Sequence, residues 1–164
     1  MRTKAMLFAA LLALAGCNDD TTASIPKAVT MTEEALGHYC QMNLTEHPGP
    51  KAQVHLDGLG QPIFFSQVRD AIAYQRLPEQ SHAIRAVYVS DMGAPAATWD
   101  QPGVDNWIPA DKAVFVVGSR IAGGMGAPEL VPFSARQKAE AFVAKNGGDI
   151  RDLAQIEDED VLTP

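Results

Sequence analysis

The sequence predicts an α+β fold made of two homologous ββαβ units packed together. Strand-like segments such as Ala52-Gln53-Val54-His55-Leu56 and 112–118 are bounded by Gly and Pro turns and interleaved with two helical stretches. The order strand, turn, strand, helix, strand reads the same way in each half. In addition, Phe65-Ser66-Gln67-Val68-Arg69-Asp70-Ala71-Ile72-Ala73-Tyr74 lines up with Phe133-Ser134-Ala135-Arg136-Gln137-Lys138-Ala139-Glu140-Ala141-Phe142. Both begin Phe-Ser and reach Ala-x-Ala-aromatic at the same distance, as an internal duplication would leave them. The alternative is coincidence between two capped amphipathic helices.

Residues 1–16 read as a lipoprotein signal peptide. Arg2 and Lys4 form a basic start, and the apolar run from Ala5 to Leu14 is too short to span a bilayer. The run ends in Leu14-Ala15-Gly16-Cys17, which resembles the bacterial lipobox, whose cysteine becomes the lipidated first residue. Cys17 is therefore the predicted lipidation site and 17–30 a lipidated tether, polar with Thr, Ser and Pro. The alternative is a plain export signal cut elsewhere, leaving Cys17 a free thiol. The predicted location is the periplasm, anchored to a membrane through the N-terminal lipid. By resemblance to lipoprotein sorting patterns, Asn18 after the cysteine favours the outer over the inner membrane.

The whole chain of 164 residues carries a formal charge of −7; without Arg2 and Lys4 the exported part carries −9. That argues against nucleic acid as a partner, because phosphate neutralisation needs a basic face. It also disfavours an anionic membrane surface beyond the lipid itself. With Cys17 assigned to lipid, Cys40 is the one spare cysteine, so no disulfide framework is expected. A lone thiol in an oxidising compartment needs a reason.

The first unit, with a crossover linker, is placed at 31–109. Residues 32–37 form a short turn or approach loop, and 40–44 a strand. Glu46-His47-Pro48-Gly49-Pro50 is a turn into the alternating strand 52–56. Gly58-Leu59-Gly60-Gln61 turns into a strand at 62–65. Ser66 is placed to cap a helix carrying Val68, Ala71 and Ile72, which Pro78 stops. A strand follows at 84–89, and 92–107 reads as a linker. The second unit, 110–156, opens with the strand 112–118, the loop Gly123-Gly124-Met125-Gly126-Ala127-Pro128 and the strand 129–133. Ser134-Ala135-Arg136-Gln137 has a capping-box pattern for a helix to Lys145, ended by Asn146-Gly147-Gly148. Residues 149–153 start a last strand or turn, and 157–164 is an acidic tail expected to be solvated.

The candidate site is His38-Tyr39-Cys40-Gln41-Met42 read with the Met125 loop. On extended backbone, alternate side chains share a face, so His38, Cys40 and Met42 would point one way and Gln41 the other. A thiolate beside a thioether is a soft pair that selects Cu(I) over harder ions. Glycines around Met125 allow the close approach that would bring a third sulfur in. The structural alternatives carry equal weight from sequence alone: a buried Cys is often a small hydrophobe, and Met often fills cores. Met31 and Met92 have no sulfur neighbour. No Cys or His pair has the spacing of a structural zinc site, no phosphate cradle is present, and no Ser-His-Asp arrangement is legible.

At these residues the chain resembles the NosL family, lipoproteins of nitrous-oxide reductase maturation. The matching pieces are the lipobox at Cys17, His38-Tyr39-Cys40-Gln41-Met42 and Glu46-His47-Pro48-Gly49-Pro50-Lys51, followed by Tyr88-Val89-Ser90-Asp91-Met92-Gly93 and Asp105-Asn106-Trp107-Ile108. Gly123-Gly124-Met125-Gly126, Val131-Pro132-Phe133-Ser134 and Asn146-Gly147-Gly148 complete them, in order along the exported chain. The resemblance implies a Cu(I)-binding metallochaperone, not an enzyme, delivering copper to nitrous-oxide reductase or its copper-assembly machinery. It implies Cys40, Met42 and Met125 as metal ligands, with His38 a lesser candidate, and two homologous ββαβ units similar to the N-terminal part of organomercurial lyase. Gln41 departs from a pattern that often has glycine there, and by the alternation argument it should be tolerated. The rival from another class is a thiol-dependent enzyme with Cys40 as nucleophile, activated by His38.

Overall fold

The computed structural model describes residues 24–162, so the predicted signal peptide and Cys17 lie outside the described residues. In β1 (Ala52–Leu56), Ala52, Val54 and Leu56 alternate onto the main core. The opposite positions, Gln53 and His55, are also buried, because the chain before residue 31 is laid over that face. The Gln53 side-chain amide donates to Val29 O (3.0 Å) and its Oε1 accepts from Val29 N (2.9 Å), while Tyr88 donates to Pro26 O (2.7 Å). The end of the predicted tether is thus part of the fold.

β1 is flanked antiparallel by β2 (Ile63–Phe65) and β3 (Ile84–Ser90), and β4 (Trp107–Pro109) extends the sheet to the order β2-β1-β3-β4. Trp107 is thus a strand residue and not part of a linker; its pairing with Ser90 is a long-range contact without a local pattern. The second sheet has the order β6-β5-β7, from β5 (Val114–Val117), β6 (Val131–Phe133) and β7 (Asp149–Asp152), again antiparallel throughout. Helix α1 (Val68–Arg76) follows β2 and helix α2 (Arg136–Asn146) follows β6. The architecture is therefore a small mixed α/β fold with two sheets and few helices.

Neither serine caps its helix. The α1 N-cap is Gln67 and the α2 N-cap is Ala135, both without a side-chain cap bond. Ser134 instead donates its N–H (3.0 Å) and hydroxyl (2.5 Å) to the carboxylate of Asp91 at the end of β3, tying the sheets together. The stop signals act as read. Leu77, ahead of Pro78, is extended (φ −80°, ψ 147°), as the proline ring requires of its predecessor. Gly147 closes α2 at φ +72°, a conformation glycine takes freely.

The main core gathers β1, Val68, Ala71 and Ile72 of α1, and Phe115, Val117 and Leu130 from the second half. A smaller cluster of Val116, Val131, Phe133 and Ala139 lies under α2. The acidic tail is folded yet keeps Glu157, Asp158 and Glu159 exposed, while α3 (Asp158–Leu162) buries Val161 in the main core. Its charges meet basic partners from afar, Arg76 with Asp158 and Arg151 with Asp160, each at 2.7 Å. Among the described residues no helix is long and apolar enough to cross a membrane.

Candidate metal centre

Residues 36–43 form a closed loop, not the strand expected at 40–44. Leu36 and Asn43 make an antiparallel bridge, Gly37 N donates to Met42 O (3.0 Å), and Gln41 N donates to Gly37 O (2.8 Å). His38 N donates to Phe64 O (2.7 Å), which fastens the loop to β2. Residues 38–40 are a turn and Gln41 has φ +56°, so the alternation argument for His38, Cys40 and Met42 does not apply. Closing so short a loop requires one residue in the left-handed region, which favours glycine. Gln41 offsets part of the strain by donating its amide to His38 O (2.7 Å).

The thiol of Cys40 is half-buried and free, and Sγ donates to Ser66 Oγ at 3.6 Å. The sulfur occupies the space where a side chain at position 37 would stand, and a Cβ on Gly37 would overlap it. Met42 is 39% exposed and Met125 41%. Met31 and Met92, by contrast, pack into core clusters. The His38 ring lies among Tyr39, Phe65 and Tyr74, with centroids 5.3–5.5 Å away. The hydrogen bond of Cys40 runs to Ser66, not to His38.

The Met125 loop is a tight turn closed by Gly123 N to Ala127 O (2.8 Å) and Gly126 N to Gly123 O (2.9 Å), with Gly126 at φ +82°. Its first two glycines are pressed against neighbours. A Cβ on Gly123 would overlap Gln67 Nε2 and stand 2.9 Å from Glu129 Oε2; one on Gly124 would overlap Pro48 O. The thiol loop therefore leans on Ser66 and the Met125 loop on Gln67, adjacent residues at the start of α1.

Three buried polar groups underlie this junction. Lys51, 1% exposed, donates Nζ to Pro48 O (3.1 Å) and Gly49 O (2.7 Å). Loss of water lowers its pKa to about 8, partly opposed by the charges of Glu129 and Cys40. Burial pushes Glu129 up to about 8, although its Oε1 accepts from Arg69 N (3.0 Å) and Leu130 N (2.9 Å). The buried Nε2 of Gln67 has no hydrogen-bond partner among the described residues. Sequence reasoning misses Gly37, Ser66, Gln67 and Glu129 as parts of this site, and meets Lys51 only as the end of a turn motif. Among the described residues no three His, Cys, Asp or Glu side chains stand together as a metal-holding group.

Comparison with known proteins identifies relatives of the whole chain. A model of the NosL protein family matches residues 28–161. The chain is 60% identical over 167 residues to the copper-binding lipoprotein NosL of Achromobacter cycloclastes, spanning all of this chain and 86% of that protein. It is 32% identical to the copper-binding lipoprotein NosL of Stutzerimonas stutzeri, over 92% of this chain and 78% of that one. The crystal structure of the copper chaperone NosL from Shewanella denitrificans superposes with a TM-score of 0.73 at 33% identity, covering 79% of this chain and 95% of that chain. The solution structure of apo-NosL from Achromobacter cycloclastes gives 0.51 at 63% identity, over 69% and 90%.

Proposed function

The chain belongs to the NosL family, and from that premise we propose that it is a membrane-anchored Cu(I) metallochaperone that hands copper on without catalysis. The cargo would be held by the Cys40 thiolate with the thioethers of Met42 and Met125, and His38 is a lesser candidate ligand. The observation that carries this reading is the shared seat: Cys40 rests on Ser66, the Met125 loop on Gln67, and both thioether side chains are left partly open. One thiolate neutralises a monovalent ion, and thioethers add soft, exchangeable donors that suit Cu(I) better than divalent metals. The half-buried sulfur holds the ion, while the exposed ones leave an approach for an incoming ligand.

The receiver would be nitrous-oxide reductase or its copper-assembly machinery. Cys17 would carry the lipid that keeps the protein in the periplasm, at the outer membrane in preference to the inner. The two halves, 31–109 and 110–156, would be duplicated ββαβ units. In support, each sheet centres on its first strand, and Phe65 pairs with Ala52 as Phe133 pairs with Val114.

Anaerobic titration of residues 18–164 with Cu(I) against a competing chelator tests the reading. One-to-one binding that is abolished in Cys40→Ser and weakened in Met125→Leu is the expected result. Binding indifferent to Cys40 overturns it.

A further inference from the structure

We propose that Glu129 is the positioning residue that holds the Met125 arm of the copper site against the Cys40 arm. The proposal rests on reading Cys40, Met42 and Met125 as the site, and it concerns a carboxyl group that cannot itself reach solvent. Glu129 is 2% exposed, and a carboxyl group in such surroundings is costly unless its bonds replace those to water. Its Oε1 receives two backbone N–H groups from different parts of the chain. One is Leu130 N, beside it. The other is Arg69 N, sixty positions away in the first turn of α1.

That second bond answers a local deficiency. The first N–H groups of a helix have no partner within it, and a side chain at the N-cap normally supplies one. Gln67 does not, because Ser66 is engaged with Cys40 and the Gln67 amide lies against Gly123. A residue at the far end of the Met125 loop therefore caps the helix on which the thiol loop leans. Glu129 Oε2 and Gln67 Nε2 both border Gly123 so closely that no Cβ fits there. Movement of the carboxyl group is thus passed to Gly123, two residues before the sulfur of Met125. On the other side, Gly124 sits over Pro48 O, which Lys51 holds in place. Glu129 is the contact that joins the two arms through the start of α1.

The test is a double-mutant cycle on Cu(I) affinity, with thermal melts confirming folding. Glu129→Ala should weaken binding by about tenfold in the parent chain, the scale set by removing groups that orient metal ligands. It should cost nothing further in Met125→Leu, where the arm no longer offers a donor. X-ray absorption of the copper-loaded Glu129→Ala protein should show one sulfur neighbour fewer than the parent. Glu129→Gln keeps the acceptor and should stay within threefold of the parent. Equal losses in both backgrounds, or an unchanged sulfur count, would overturn the proposal by reducing Glu129 to a general stabiliser. If Glu129→Ala does not fold, Glu129→Leu, which fills the space without an acceptor, replaces it in the same cycle, and the same pair of results supports or overturns the proposal. Loss of the parent's binding in Cys40→Ser checks the underlying reading separately.

Discussion

Substituting Gly37 by alanine puts the thiol position to a direct test. Gly37 does not have positive φ, so alanine brings no backbone strain, only one methyl group. That methyl would overlap Cys40 Sγ while making ordinary 3.7 Å contacts with Leu44 Cδ2 and Ser66 Oγ. The sulfur must therefore move by about 1 Å to restore van der Waals distance, or leave Ser66 for another rotamer. A forced rotamer costs roughly 0.5–1.5 kcal/mol. Restricting the unfolded chain returns roughly 0.4–1 kcal/mol. The two nearly cancel, so the melting temperature should barely change. Copper should notice far more, since metal–ligand distances tolerate only about 0.2 Å. An affinity loss of about tenfold or more is expected in a chelator-competition titration. A folded Gly37→Ala protein that binds Cu(I) within twofold of the parent would refute the idea that copper uses the sulfur where this structure puts it.

Two further predictions come from the same region. Gln41 sits at φ +56°, so Gln41→Val should destabilise by about 1–2 kcal/mol, whereas Gln41→Gly should leave stability and Cu(I) affinity close to the parent. Equal denaturant midpoints for the two variants would refute the strained turn. The second prediction concerns pH. Glu129 is raised from 4.5 to about 8, so between those values the folded chain keeps a proton that the unfolded chain has lost. Stability from this group is full below pH 4.5 and is lost as pH climbs towards 8, by at most about 1.4 kcal/mol per unit. Urea midpoints of Glu129→Gln should lack that decline between about pH 5 and 8. Parallel slopes for parent and variant would show that the acid titrates normally.

The elements that are legible in the sequence are those whose cause lies within a few residues. Pro78 forces Leu77 out of helical geometry wherever the helix packs, and Gly147 supplies positive φ at the end of α2 from its own lack of a side chain. The alternation in 52–56 survives because Ala52, Val54 and Leu56 all face one core. The two serines fail as caps for the opposite reason. Their hydroxyls look local in sequence, but Ser66 is needed by Cys40 and Ser134 by Asp91, each long-range. The acidic tail keeps most of its charges exposed, as its composition suggests, but its ion pairs to Arg76 and Arg151 come from other elements.

The site follows the same division. Cys40, Met42 and Met125 are singled out in the sequence by the softness of sulfur taken together with the family resemblance, since Met31 and Met92 carry the same element. The backbone that presents them is not, for a short loop closed by Gly37 and Met42 overrides the alternation of an extended chain. Glu129 and Gln67 are polar residues whose type gives no hint of burial, and Lys51 enters only as the end of the 46–51 turn. Their meaning is created when Gly123 and Gly124 come down on Gln67 and Pro48. Candidate donors are therefore read from residue type and resemblance, while their placement depends on contacts between the two halves. Replacing a sulfur should abolish or weaken binding outright. Replacing a buried support should alter binding only through the sulfur it holds, a distinction that a cycle measured in two backgrounds can read.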